Sequence, residues 1–254
     1  MPLMLKAISK KIAAAFGIGL VDIRKNYAQD GLFSIHNASF RHNPRFHSAY
    51  TRGLEASLGI DPHFEWRVHI ALWSAARALS VPGDFVECGV NAGFISSAIM
   101  NYLDWDSKHR KFYLVDTFTG PMTEQFSADE IASGRLKITQ SAMAAGAYVT
   151  DVERVRSNFS EWKDAVVVQG AIPEVLASLT IPQVAFLHID MNCAAPELAA
   201  LEFFWPRLSQ GGVVLLDDYG HSGYESQSKA LDVLINRLKA EVLVLPTGQG
   251  LVVK

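Results

Sequence analysis

The stretch "DFVECGVNAG", residues 84–93, runs from a short apolar segment into a turn bounded by Gly89 and Gly93. It reads as a strand, a tight turn and the start of a helix, the opening unit of a sheet whose strands are joined by helices. Downstream, "KFYLVD", "AVVVQG", "VAFLHID" and "GGVVLLDD" repeat the pattern, with helical periodicity between them. Runs that are apolar on consecutive positions predict strands covered on both sides, hence a doubly wound α/β sheet with parallel strands and helices on both faces. After the helical "ESQSKALDVLINRLKA", the segments "EVLVLP" and "GLVVK" are separated by "TGQ", short enough for a hairpin. A hairpin makes the last of the seven strands antiparallel.

The 254 residues, 49% of them hydrophobic, suffice for a full core. Basic and acidic residues number 23 and 26, for a net charge of -3, and neither sign forms a long run. That balance argues against a nucleic-acid partner and for a small-molecule one. Cys88 and Cys193 are too few for a disulfide framework and lack metal-ligand spacing, which suits a reducing, cytoplasmic compartment. The opening "MPLMLKAISKKIAAAFGIGLV" sets lysines ahead of a short apolar run, as a secretory leader would, but no convincing cleavage site follows. Residues 12–21 are too few to span a bilayer, whereas Leu5, Ile8, Ile12 and Phe16 recur at helical spacing. An amphipathic docking or lid helix is the better reading, with no membrane partner.

Aromatic, His, Arg and Asn residues crowd "KNYAQDGLFSIHNASFRHNPRFHSAYTRG". Residues 1–60 are therefore expected to form a helical extension that either closes over the ligand edge as a lid or joins copies of the chain in a homo-oligomer. Residues 61–254 form the α/β domain. Its first helix, "PHFEWRVHIALWSAARAL", carries Trp66, Ile70 and Trp73 as expected core residues.

Ligands of an open α/β sheet bind beyond the carboxyl ends of its strands. Acids stand at four of those ends: Glu87, Asp116, Asp190, and Asp217 with Asp218. A single strand-end acid is as readily a helix cap, but four adjacent ones point to ligand chemistry. The turn "ECGVNAG" lacks the middle glycine of the dinucleotide fingerprint, and Glu87 would repel a pyrophosphate. The same carboxylate attracts a ligand bearing an ammonium and a sulfonium, as S-adenosylmethionine does. Asp116, 23 residues beyond Gly93, is placed to accept from ribose hydroxyls, with Gln169 and Gly170 near the adenine. Asp190, Asp217 and Asp218 would repel one another unless protonated or bridged by a cation. Oxygen-only ligands favour Mg²⁺, with Ca²⁺ or Mn²⁺ as alternatives, while the competing reading makes "DDYG" a simple turn cap.

Together, "GDFVECGVNAG", "VDTFTG", "HIDMN" and "WPRLSQGGVVLLDDYG" with its following helix resemble the macrocin-type O-methyltransferases. These are metal-dependent enzymes that methylate sugar hydroxyls of macrolides, with relatives acting on aminocoumarin sugars. The likeness covers residues from about 83 to 240. It implies the Rossmann-like seven-stranded methyltransferase sheet and a hydroxyl-bearing small molecule as acceptor. It further implies S-adenosylmethionine near Glu87, Gly89 and Asp116, with Asn91, Gly93 and Thr117 on the same two turns. Asp190 would serve both the cofactor and a Mg²⁺ ion shared with Asp217 and Asp218.

In one place the chain departs from the family. The strand-four motif there usually reads Asp-x-Asp, its second acid the proposed general base, and here Asn192 takes that position. An amide cannot accept a proton at neutral pH. The base is then His188 or His221 just past "DDYG", or its loss is tolerated because the acceptor hydroxyl is already acidic or becomes so on the ion. Period-two alternation sets His188, Asp190 and Asn192 on one face, whereas His221 sits on a loop where imidazoles reach substrates more easily. Two further hypotheses remain open: a non-catalytic descendant that keeps the cofactor pocket, and a nicotinamide oxidoreductase, which Glu87 and the missing glycine disfavour.

Overall fold

The computed structural model describes residues 3–19, 26–57 and 59–254. It divides into two units, Met1–Ser39 and Phe40–Lys254, so residues 40–60 belong to the larger one. In the smaller unit a helix, α1 (Leu3–Ala15), precedes an antiparallel hairpin of β1 (Tyr27–Gln29) and β2 (Leu32–Ser34). Asp30 and Gly31 turn the hairpin with φ of 50° and 69°, the left-handed pair that a two-residue hairpin requires. Ile8 and Ile12 on α1, and Phe16 after it, are exposed.

The larger unit begins with α2 (Pro44–Ala56) and α3 (Glu65–Ala78). The sheet strands are β3 (Asp84–Cys88), β4 (Phe112–Asp116), β5 (Ala165–Gln169), β6 (Val184–Ile189), β7 (Leu208–Leu216), β8 (Leu243–Val244) and β9 (Gly250–Val253). Between them lie α4 (Phe94–Leu103), α5 (Ala128–Ala132), α6 (Arg135–Ala144), α7 (Val152–Phe159), α8 (Ala194–Phe204) and α9 (Glu225–Arg237). The seven-stranded sheet has the order β5-β4-β3-β6-β7-β9-β8. The first five strands in sequence are parallel, and β9 is antiparallel to both β7 and β8, as the hairpin reading requires.

Successive strand residues feed two cores. Phe85, Leu114, Phe186, Val213 and Leu215 pack on one face with residues of α2, α3, α4 and α7. Val86, Val115, Leu187, Val214 and Leu216 pack on the other with residues of α8 and α9. This two-sided burial is why the strands read as continuous apolar runs. Residues 44–56 are built into the first core: Phe46, Ala49 and Tyr50 are buried, and a Cβ on Gly53 would come within 2.5 Å of the Phe94 ring. On α3 the buried stripe is Val68, Ala71, Leu72, Ala75 and Ala78, and Trp73, expected in the core, is 54% exposed. The error was one of phase, because an apolar helix with tryptophans on two sides does not declare which side faces the sheet. Among the described residues, no helix is long and apolar enough to cross a membrane.

Candidate active site

Strand β3 delivers the chain into the turn at Gly89, whose φ is 90°. A Cβ there would lie 1.7 Å from the carbonyl oxygen of Asp190, so the turns leaving β3 and β6 touch backbone to backbone. Asn91, itself at φ 50°, ties this turn to the segment before α7: its Nδ2 donates to Ala147 O at 2.9 Å and its Oδ1 accepts from Val149 N at 2.8 Å. Asp116 at the end of β4 fixes the same turn. Its Oδ2 accepts from the amides of Val90 and Asn91 at 2.7 and 2.9 Å, and its Oδ1 from Phe118 N at 2.7 Å. The single Thr117 hydroxyl proton is shared between Gly120 O at 3.0 Å and Asp116 Oδ1 at 3.3 Å. The nearer carbonyl takes it, which leaves Asp116 one acceptor site of its four.

Beyond these strand ends opens a cleft of about 100 Å³, lined by Gly89, Asn91, Asp116, Thr117, Gly170 and Asp190 among others. Six of the residues expected around a cofactor therefore meet in one place. Gln169 is exposed and donates from Nε2 to Thr117 O at 3.3 Å, while Gly93, with φ 86°, packs against the Phe159 ring.

Glu87 lies elsewhere. It is 2% exposed, lies under the turn, and accepts from Ser96 Oγ and, at 2.8 Å, from His188 Nδ1. Glu87 and His188 are register partners on adjacent parallel strands, so their side chains share a face. The chain of charges continues: His188 Nε2 is 3.6 Å from Asp217 Oδ1, and Asp217 Oδ2 accepts from Arg67 Nη1 at 2.6 Å. Gln249, on the turn between β8 and β9, donates to Asp217 Oδ1 at 2.7 Å. Negative and positive groups alternate from Glu87 to Arg67, which makes the burial of all four tolerable. Burial pushes Glu87 up and His188 partly offsets it. Burial alone would lower His188, but the Asp217 and Glu87 carboxylates hold it up at about 10. Burial would raise Asp217, yet Arg67 and His188 keep its carboxyl well below the usual range.

A buried imidazole that is already protonated has no lone pair to offer, so His188 is not placed to take a proton from an acceptor. It contributes to stability instead. Its folded pKa lies above the unfolded value of about 6.5. The stabilisation is therefore complete below that pH and disappears as pH rises through about 10. Urea unfolding midpoints of the wild type are expected to fall between about pH 6.5 and about 10, the interval between the unfolded and folded values, and those of His188→Gln to stay flat. Parallel curves for the two proteins would rule this out.

Asn192, at φ 63°, is the hub of a second network. Its Oδ1 accepts from Arg135 Nη2 at 2.8 Å and from Tyr224 OH at 2.7 Å, and its Nδ2 donates to Asp190 Oδ1 at 3.2 Å. The Arg135 guanidinium stacks 3.7 Å over the Tyr224 ring. Glu197 accepts from Met191 N at 3.0 Å and holds the loop after β6. His221 lies outside the cleft lining, with Nδ1 3.2 Å from Ser222 O and its ring edge-on to Tyr224. Tyr148 lines the cleft, and burial together with the Asp190 charge pushes its phenol up to about 12.

The three carboxylates expected to hold Mg²⁺ are neighbours, and each acts on the others' ionisation. Burial, with Asp217 and Asp218 beside it, raises Asp190 well above the carboxylate range, and burial with Asp217 raises Asp218. Their arrangement does not fit a divalent ion. Both oxygens of Asp217 already face N–H donors, from Gln249 and Arg67, and Arg67 Nη1 also lies 3.5 Å from Asp218 Oδ1. Among the described residues no group of three acids, histidines or cysteines is arranged to hold a metal.

Sequence reasoning missed Arg67, Arg135, Tyr148, Tyr224 and Gln249. None stands at the end of a parallel strand, and the partners lie from 32 to 150 residues away along the chain. No local pattern joins them.

Comparison with known proteins bears on the family and the fold. A family model described as macrocin O-methyltransferase (TylF) matches residues 70–239. A Streptomyces olivaceus protein, 8-demethyl-8-(2,3-dimethoxy-alpha-L-rhamnosyl)-tetracenomycin-C 4'-O-methyltransferase, is 29% identical over 147 residues, 55% of this chain and 54% of the relative. The chain thus spans about half the length of the curated relative it matches. Among solved structures, the O-methyltransferase NovP superposes with a TM-score of 0.61 at 21% identity, covering 74% of this chain and 79% of that one. The calicheamicin methyltransferase CalS11 does so with a TM-score of 0.57 at 17% identity, covering 92% and 97%. At those identities the structures show a shared fold. The family model, matching well over half of the residues, settles membership: this chain belongs to the macrocin O-methyltransferase family.

Proposed function

We propose that the protein transfers a methyl group from S-adenosylmethionine to a hydroxyl of a small molecule, a natural-product sugar or related secondary metabolite. The observation that carries this reading is the cleft at the carboxyl ends of β3, β4 and β6, lined by both Asp116 and Asp190. When bound, S-adenosylmethionine supplies a sulfonium methyl whose carbon bonds to the acceptor oxygen as the carbon–sulfur electron pair returns to sulfur and the hydroxyl proton departs. The chain's residues do the rest. Asp116 offers its remaining acceptor site to a ribose hydroxyl, and Gly89 and Gly170 line the space for the adenine and the linker. Glu87 is screened from the cleft and acts through His188, so its role is to hold the turn and the charge chain in place.

Asp190 is the proton acceptor in this reading. Of the two carboxylates on the cleft wall, Asp116 is nearly saturated by amides, whereas Asp190 receives one hydrogen bond among the described residues, from Asn192. Asn192 then positions the base in place of being one. This arrangement supports a working enzyme over a non-catalytic descendant, because a carboxylate remains beside the amide that replaced the family's acid.

Titration calorimetry tests the cofactor. S-adenosylmethionine is expected to bind and NADH not to, and Asp116→Ala is expected to weaken the former by about 10-fold or more, the value of a hydrogen bond to a charged group. Tighter binding of NADH, or unchanged affinity in Asp116→Ala, would remove the cofactor from this cleft.

A further inference from the structure

We propose that Arg67 is the resident cation of the Asp217–Asp218 pair at the end of β7 and that it takes the place of the divalent ion, so that methyl transfer by this chain needs no metal. The inference rests on the methyltransferase reading above. Arg67 comes from α3, outside the strand-end set, and its side chain is 11% exposed. Nη1 lies 2.6 Å from Asp217 Oδ2 and 3.5 Å from Asp218 Oδ1, between the two adjacent acids that end β7. A guanidinium keeps its charge at any working pH and presents donors in a fixed plane, which suits it to a buried carboxylate pair. Gln249 fills the other oxygen of Asp217 with a donor rather than leaving it for an ion.

A divalent ion on Asp217 and Asp218 would stand beside the fixed charge of Arg67, whose Nη1 is 2.6 and 3.5 Å from their oxygens, and the two cations would repel. In the resting arrangement Arg67 offsets the charge of Asp217 and Asp218. It contacts these two acids, so it is a positioning residue. The acceptor hydroxyl is then held by hydrogen bonds and not by chelation, and a neighbouring hydroxyl on the sugar is not required for binding.

The test has two arms. Electron paramagnetic resonance of Mn²⁺ added to the intact protein is expected to show no stoichiometric site in the wild type. In Arg67→Met, which uncovers the carboxylates, Mn²⁺ affinity is expected to rise at least about tenfold. In the activity arm, chelator leaves wild-type transfer unchanged. Arg67→Met loses about 10² in rate, the typical value of one fixed electrostatic group, with part of it restored by Mg²⁺. Arg67→Lys keeps the charge and the wild type's indifference to chelator, which covers the case in which the methionine variant does not fold. A wild-type Mn²⁺ site that disappears in Asp217→Asn, or transfer abolished by chelator, would overturn the proposal. If no acceptor is turned over by any variant, the methyltransferase reading falls, and the resonance arm still decides whether Arg67 excludes the ion.

Discussion

Asp190→Asn is expected to lower kcat by about 10² to 10⁴, the usual worth of a positioned general base. The substitution keeps the shape of the side chain and its contact with Asn192, so folding and S-adenosylmethionine affinity should change little. What is lost is the site for the departing proton. Methyl transfer followed by mass spectrometry, with cofactor affinity measured in parallel, separates the two effects, and a variant within twofold of wild type would exclude Asp190 as the base, since even the low end of that range is ~10². The companion change, Asn192→Asp, restores the residue type of the family motif but is not expected to raise the rate. Arg135 would hold the new carboxylate in its charged form, and the hydrogen bond donated to Asp190 would be replaced by repulsion.

Gly89→Ala should have the largest effect on stability. The added Cβ would lie 1.7 Å from the Asp190 carbonyl oxygen, a backbone atom with no rotamer to yield, at a φ of 90° that side chains avoid. Moving the β6 turn away means breaking the pairing between the two central strands. The expected loss is more than about 4 kcal/mol, a large part of the ~5 to 15 kcal/mol that a domain possesses, so the variant should be largely insoluble or unfolded. Gly134→Ala is the control. It also has a positive φ, but nothing lies within 4 Å of its Cβ, and a cost of about 1 to 2 kcal/mol is expected. Chemical denaturation of both variants checks the difference, and a folded Gly89→Ala with near-native stability would contradict the contact.

The parallel strands could be found from their apolar runs because burial on both faces leaves an uninterrupted hydrophobic signal, whereas β8 and β9, with Leu243, Val244 and Val253 exposed, were legible from the short turn between them. The strand-end acids were legible for the same reason: each stands where the run stops. Their division of labour was not. Glu87 reads as a ligand-facing acid until its register against His188 is known, since only cross-strand pairing decides that the two share a buried face. Asp190, Asp217 and Asp218 read as a bare cluster in need of an ion because their counter-charge is Arg67, 150 residues before Asp217. Likewise, Asn192 looked like a lost function until Arg135 and Tyr224 were seen to fill its carbonyl. Period and composition report what a residue prefers to be near, and the partner here is chosen by topology.

The middle of the sheet has a further consequence, for the way the chain reaches its folded state. Strands β3 and β6 are immediate neighbours, yet the Glu87 and His188 they carry are 101 residues apart in sequence. During synthesis β3 and β4 can pair early, but the other edge of β3 has no partner until β6 has left the ribosome. Closing so long a loop is slow relative to local helix formation. Until it closes, a hydrophobic strand edge stands open to pairing with other chains, which makes aggregation before completion the characteristic hazard of this topology. The buried charges add a kinetic check. His188 stands between Glu87 and Asp217, so the pairing of β6 with β3 and β7 joins the two halves of the sheet and the two halves of the charge chain together.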